Sequence, residues 1–372
     1  MAVSDRLHVS SVRAMMHERG YDAIVIRNNP DIRWLTGVTR VLDDEVAHTV
    51  LVTQDELLLH TDSRYFNAFV TKLGEKSAWT VDMDPVGHER WAAEQIAKRS
   101  CHVVAIEDTL TVGFLEGLEH AISQASAACL LPRLHGDITE MRAVKDDDEV
   151  ARMRAAQAIT DDAYDFMCTS IRPGKTELQL RAELDNYMLS HGADSLAFDT
   201  IVASGPNTAN PHAQPSGRVV EKGDFVLMDF GAGLNDYKSD MTRTVVVGEP
   251  NQGQRDLYDL VRRVNEACEA YLKPGVVGHE AHELAVKMIT DAGFGDYFKH
   301  GLGHGVGVEI HEQPRLSRLD GHTLVPGNVV TVEPGVYLPG LGGVRLEDFG
   351  VITETGYDVF TQSSHELRVV GR

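Results

Sequence analysis

Residues 226–247, VLMDFGAGLNDYKSDMTRTVVV, constrain the fold more than any other stretch of the chain. Two apolar runs flank a short polar segment, the pattern of a β-hairpin. Each run carries a carboxylate where core should be. Asp229 follows Phe225-Val226-Leu227-Met228, and Asp240 precedes Met241-Thr242-Arg243-Thr244-Val245. With the loop centred near Leu234-Asn235, residues 229 and 240 are expected to face each other, their Cβ atoms roughly 5 Å apart. Two buried carboxylates at that separation repel each other and are costly to desolvate. A bound cation resolves the conflict, and one or two divalent metals resolve it best.

The same half of the chain supplies further candidate ligands. HGLGHGVGVEIHE (300–312) holds three histidines, with His304 between two glycines. VVTVEPGVY (329–337) is a β-branched strand ending in Glu333-Pro334-Gly335. GGVRLEDFGVI (342–352) puts Arg345 and Glu347 two residues apart, on one face of a strand. Singly, each has an ordinary role: a strand-end carboxylate, a turn histidine, a turn. Together, four carboxylates and one imidazole at the edges of expected strands fit a pair of metals such as Mn²⁺, Co²⁺ or Zn²⁺.

The 372 residues suffice for two domains. Helical patterns at 5–19 and 112–124 alternate with strands at 22–26 and 103–108 and a hairpin around Gln54-Asp55, as in an α/β domain. After Gly136 the chain turns polar, and the expected domains are 1–137 and 138–372. KDDDEV opens a long helix to about Cys168, its aspartates suited to the positive end of the helix dipole. Thr176 and Gln179 form a capping box for the next helix, which Gly192 ends. Helices at 254–272 and 279–292 and strands at 199–203, 225–230, 240–248, 305–311, 328–333 and 344–353 make the second domain α+β, with a largely antiparallel sheet.

A formal net charge of -21 repels phosphate backbones and anionic lipid, which argues against nucleic acid and membrane partners. The four cysteines have no zinc-site spacing, and the first twenty residues lack the apolar run of a signal peptide. A cytoplasmic protein is the expectation.

FDTIVASGPNTANPH, MDFGAGLNDYKSDMTRT, HGLGHGVGVEIHE, TVEPGVYLPG and GGVRLED, in that order, resemble the sequence blocks of the metallopeptidases of family M24, which have the pita-bread fold. The resemblance covers roughly residues 145–365 and is closest to the Xaa-Pro peptidases, proline dipeptidase (prolidase) and aminopeptidase P. NNPDIRWLTG and DSRYF resemble the creatinase-like N-terminal domain. The implied architecture is a creatinase-like α/β domain followed by a pita-bread α+β catalytic domain.

By motif position, the resemblance implies that Asp229 binds one metal, that Asp240 and Glu347 bridge two, and that His304 and Glu333 complete the set. It implies two divalent ions per subunit, Mn²⁺ first with Co²⁺ or Zn²⁺ as alternatives. His212 and His311 become the non-ligand histidines, Arg345 the supporting or substrate-facing arginine, Glu333 also a proton shuttle, and His300 a neighbouring hydrogen-bonding group. Ala213 departs from the pattern, since many relatives carry histidine or tyrosine there, and an effect on substrate contacts is expected. Creatinase itself lacks the metal set present here. The implied substrates are small peptides with proline second, and the implied assembly is a homodimer. Proline dipeptidase is the first reading; aminopeptidase P, acting on longer peptides, and a non-peptidase pita-bread protein are the alternatives. Leu35, Val41 and Phe66 are read as ordinary core.

Overall fold

Contacts divide the chain of this computed structural model, which describes residues 3–371, into two units, Met1–Arg142 and Ala143–Arg372. In the first, α1 (Val3–Arg19) turns Val9, Val12, Met15 and Met16 inward, a helical spacing that puts them on one face. There follow β1 (Ala23–Ile26), α2 (Asn29–Thr36), β2 (Thr49–Thr53), β3 (Leu57–His60), α3 (Phe66–Leu73), β4 (Trp79–Asp82), α4 (His88–Lys98), β5 (Val104–Ile106), α5 (Val112–Gln124) and α6 (Asp137–Ala143). The strands form one mixed sheet in the order β4-β3-β2-β1-β5. Alternate residues of β1 enter different cores: Ile24 and Ile26 join the one that contains α1, and Ala23 and Val25 the one that contains Trp91 and Phe114. A sheet covered on both faces needs an uninterrupted apolar run, which explains the sequence AIVI. Leu35 and Val41 are buried in the first core, and Phe66 is half-buried.

Helices α2, α3 and α4 were not among the sequence expectations. Two of them have eight residues, too short for a strong periodic signal, though α2 has proline in its first turn and Gly37 as a left-handed cap.

The second unit opens with α7 (Asp147–Ser170) and α8 (Glu177–Ser190), each started by a capping box, Asp146 with Glu149 and Thr176 with Gln179. The elements that follow are β6 (Ser195–Leu196), β7 (Ile201–Ser204), β8 (Phe225–Phe230), β9 (Ala232–Leu234), β10 (Tyr237–Lys238), β11 (Met241–Val247), α9 (Gln252–Tyr271) and α10 (Gly278–Asp291). The remaining strands are β12 (Gly303–Gly305), β13 (Glu312–Leu316), β14 (Val329–Val332), β15 (Gly335–Leu338), β16 (Gly342–Arg345), β17 (Asp348–Ile352), β18 (Tyr357–Val359) and β19 (Val369–Val370). Two larger sheets result, β19-β11-β8-β7 and β13-β12-β14-β17-β18, antiparallel except for the β11–β19 pair.

Along β8, Val226, Met228 and Phe230 pack with Met167, Leu180 and Leu184 of α7 and α8. The other face, with Phe225, Leu227 and Asp229, is turned away from those helices by the period of two. Helices α9 and α10 share a separate core with Val330, Val332, Val336, Val344 and Leu346.

Two expected strands are corrected. The expected strand 305–311 is absent: β12 ends at Gly305, and Gly307 N–H to Glu309 O and Glu309 N–H to Glu312 Oε1 close a turn before β13. The expected strand 344–353 is two strands in different sheets. Its break falls at Leu346-Glu347, where the Glu347 N–H bonds Thr242 O instead of continuing either ladder.

Candidate active site

The register of β8 against β11 sets the first two carboxylates. Asn235 and Asp236 both have positive φ, 49° and 66°, with Leu234 paired to Tyr237, which makes them the two central residues of a hairpin turn. The expected turn lay one residue earlier. Moving a turn by one residue moves every partner by two, so Asp229 faces Thr242, not Asp240. Asp240 sits two residues from Thr242, diagonal to Asp229 and on the same face.

Arg345 and Thr242 tie these strands to the third carboxylate. Thr242 Oγ1 donates to Glu347 Oε2 at 2.6 Å and accepts from Arg345 Nε at 2.9 Å. Arg345 Nη2 donates to Asp229 Oδ2 at 2.6 Å, and Nη1 donates to the Tyr337 hydroxyl at 2.9 Å. Behind them, Arg243 donates Nη1 to the carbonyls of Thr242 and Glu347 and pairs through Nη2 with Asp348 at 2.6 Å. Asp348 also groups with Glu269 and His365. Because Arg243 already brings a cation to that cluster, it is a poor metal site.

His304 reaches the carboxylates from the other sheet. A Cβ on Gly303 would run into the carbonyl of Thr331, and one on Gly305 into that of Gln313, so the glycines let this strand lie close to its neighbours. His304 Nδ1 bonds the Gly305 carbonyl at 3.0 Å. A carbonyl only accepts, so Nδ1 carries the hydrogen and the Nε2 lone pair faces outward. It stands 3.5 Å from Asp240 Oδ2 and 3.5 Å from Glu333 Oε1. Burial pushes His304 down to about 3, so the ring is neutral and these contacts are not ion pairs.

The group is short of positive charge. Burial pushes Asp240 and Glu347 well above the usual carboxylate range, and neighbouring carboxylates add to the shift. Glu333 is pushed up to about 8, again by burial, with Arg345 opposing. Burial also raises Asp229, against the same arginine. Asp229 Oδ1 is buried without a hydrogen-bond partner. Asp240, His304 and Glu347 offer ligand atoms all within 4.8 Å of one another. A lone pair and several carboxylate oxygens converging with too few donors fit divalent cations of borderline to hard character.

All eight candidate residues, Asp229, Asp240, His304, Glu333, Glu347, His212, His311 and Arg345, line one cavity of about 610 Å³. His311 is exposed, its ring edge-on to that of His304 at 4.4 Å. His212 is exposed in the loop after the helical turn Gly205–Ala209. His300 Nε2 lies 2.9 Å from the Tyr337 hydroxyl, which links it to Arg345. The expected effect of Ala213 on substrate contacts finds no support in its position. The residue does not line the cavity; it is buried with Ile201, Ala203 and Leu227.

Three participants were missed by sequence reasoning. Thr242 and Tyr337 matter through contacts with residues 105 and 8 positions away. Arg315 lines the cavity, paired with His304 across β12 and β13. Its guanidinium has no carboxylate partner among the described residues, a fact that only the fold reveals.

The profile of metallopeptidase family M24 matches residues 151–354, more than half the chain, and that of the Creatinase/Prolidase N-terminal domain matches residues 8–144. This chain belongs to metallopeptidase family M24. Among similar M24 family members, a Xaa-Pro dipeptidase of Pyrococcus horikoshii is 33% identical, the match covering 96% of this chain and 98% of that protein. The structure of a Xaa-Pro dipeptidase from Bacillus anthracis is 34% identical with a TM-score of 0.91, covering 98% of this chain and 100% of the other. The structure of an X-Pro aminopeptidase from Thermotoga maritima is 31% identical with a TM-score of 0.86, covering 95% and 99%. The M24 architecture is thus a creatinase-type N-terminal domain and a pita-bread catalytic domain.

Proposed function

We propose that this peptidase is a Xaa-Pro dipeptidase. Relatives bearing that name match nearly its whole length. The observation that carries the dipeptidase reading over its alternatives is Arg315, a cation lining the cavity whose guanidinium has no carboxylate partner among the described residues, across the strand pair from His304. A dipeptide is a zwitterion whose free carboxylate lies one residue past the scissile bond. Arg315 would take that carboxylate in a charge-assisted pair, while the acidic wall would face the amino end. A longer peptide has no carboxylate at this position.

Asp229, Asp240, His304, Glu333 and Glu347 would hold two divalent metals, Mn²⁺ before Co²⁺ or Zn²⁺. The metals would supply Lewis acidity toward the scissile carbonyl and an acidified water as nucleophile. Arg345 holds Asp229 in place, and Thr242 holds Glu347. His311 and His212, at the open side of the cavity, would donate hydrogen bonds to the carbonyl oxygen as it gains negative charge. Glu333 would carry a proton to the proline nitrogen as the C–N bond breaks. That nitrogen has no hydrogen in the substrate, so recognition rests on the ring and the two peptide ends.

The structural match to the Thermotoga maritima X-Pro aminopeptidase keeps aminopeptidase P as the second reading. After metal reconstitution, hydrolysis of Ala-Pro, Ala-Pro-Ala and Ala-Ala separates the readings. The dipeptidase reading expects Ala-Pro first. Preference for the tripeptide favours aminopeptidase P, and efficient Ala-Ala cleavage with no gain from proline removes both. A homodimer belongs to the same proposal and is read by sedimentation.

A further inference from the structure

Nothing local orients His212. The described residues offer its imidazole no hydrogen-bond partner; only its backbone N–H is engaged, by Asn210 Oδ1 at 3.2 Å. It stands in GPNTANPHAQPSGR (205–218), a loop with one short helical turn as its regular structure. The position of the ring is therefore set by whatever anchors the loop.

One carboxylate anchors both ends. Glu177, the first residue of α8, is fully buried and lies outside the cavity. Its Oε1 accepts from the N–H and hydroxyl of Ser204, at 2.7 and 2.8 Å, where the chain enters the loop. Its Oε2 accepts from the N–H and hydroxyl of Ser216, at 3.0 and 2.6 Å, where the chain leaves it. Asn207 Nδ2 reaches both oxygens, at 3.0 and 3.2 Å. An anion surrounded by donors forms stronger bonds than a neutral acceptor would, and in a buried place they do not exchange with water. At its far side the loop touches the site directly: Arg345 Nη1 donates to Pro211 O at 3.3 Å, next to His212.

We propose that Glu177 is the positioning residue for His212. It clips the two ends of the loop together and to α8, so that the loop has one length and one direction from which to present the imidazole to the substrate carbonyl. This inference rests on the role given to His212 above.

The test compares wild type, Glu177→Gln, Ser216→Ala and His212→Ala in the metal-reconstituted protein. Glutamine keeps the shape of Glu177 but turns one acceptor into a donor that faces other donors; Ser216→Ala removes only one bond and covers the case in which Glu177→Gln does not fold. The expected result is unchanged metal content with kcat on Ala-Pro lowered about tenfold or more by Glu177→Gln, and less by Ser216→Ala. Placed in His212→Ala, either substitution is expected to change kcat less than about twofold, because residues acting as a unit are not additive. In the protein loaded with diamagnetic Zn²⁺, the ¹⁵N-imidazole signal of His212, assigned by its loss in His212→Ala, is expected to shift or broaden in both variants while that of His304 stays. An unmoved His212 signal, or an equal kcat loss with and without His212, overturns the proposal. Wild-type kcat in His212→Ala, with its signal moved by Glu177→Gln, leaves the positioning intact and removes the catalytic role of His212.

Discussion

Thr242 donates its hydroxyl hydrogen to Glu347 Oε2 at 2.6 Å, from the position directly opposite Asp229. One hydroxyl thus ties a proposed metal ligand, at the break between β16 and β17, to the strand paired with the one that carries Asp229. Thr242→Val keeps the shape and removes the bond. The expected outcome is a 10–100-fold or so weaker metal affinity, measured by titrating the apo-protein, with the fold unchanged by circular dichroism.

Asp240→Asn is expected to reduce bound metal and lower turnover of Ala-Pro by more than about 10²-fold, since the group loses a charge where several oxygens already lack partners. Elemental analysis beside the rate assay checks it. Wild-type metal content and rate in this variant would remove Asp240 from the ligand set. A chelator should inactivate the wild type, and Mn²⁺ should restore it.

Arg315→Met is expected to lower kcat/KM for Ala-Pro by about 10–100-fold, the worth of a hydrogen bond to a charged group. Ala-Pro amide, which has no carboxylate, should be cleaved by wild type and variant alike. An equal loss on both substrates would give Arg315 a structural role instead.

Lys145 Nζ and Glu312 Oε2 form an ion pair at 2.8 Å, both side chains almost wholly buried. Lys145→Met strands a charge beside His311, at an expected cost of about 3–5 kcal/mol in stability. Lys145→Met with Glu312→Gln should recover most of it. Thermal denaturation of the two variants reads the difference.

Glu107, in the first unit, is pushed from 4.5 up to about 7 by burial, with the Asn28 N–H opposing. Between those values the folded chain holds a proton that the unfolded chain has released. Its contribution to stability therefore falls as pH rises through this window, by up to about 3 kcal/mol. Glu107→Gln has no such proton. The stability difference, variant minus wild type, should grow from pH 4.5 to 7 and then level off; a flat difference would contradict the shift.

Much of the second unit was legible because its signals are local. The capping box of Thr176 and Gln179 lies within four residues, and the apolar run Phe225-Val226-Leu227-Met228 marks the strand that Asp229 interrupts. The eight candidate side chains could be named from motif position, and they line one cavity. What escaped depends on register and distance. The turn at Asn235-Asp236 differs from the expected one by a single residue, which local composition does not resolve. Arg315 looks like any arginine in EQPRL until β13 is laid against β12. Short helices such as α3, with Phe69 and Leu73 as its buried residues, carry too few apolar positions to announce a period.

The cavity is closed by bonds that join distant parts of the chain: Thr242 to Glu347 across 105 positions and Asp229 to Arg345 across 116. Bonds of such span form only after the long intervening loops have closed, and that entropy is spent before any contact compensates it. A partly folded chain, even one with α7 and α8 in place, therefore has no site to offer a metal. Ion uptake by this protein should be the final event of refolding, and its kinetics a clock for the slowest step of the second unit.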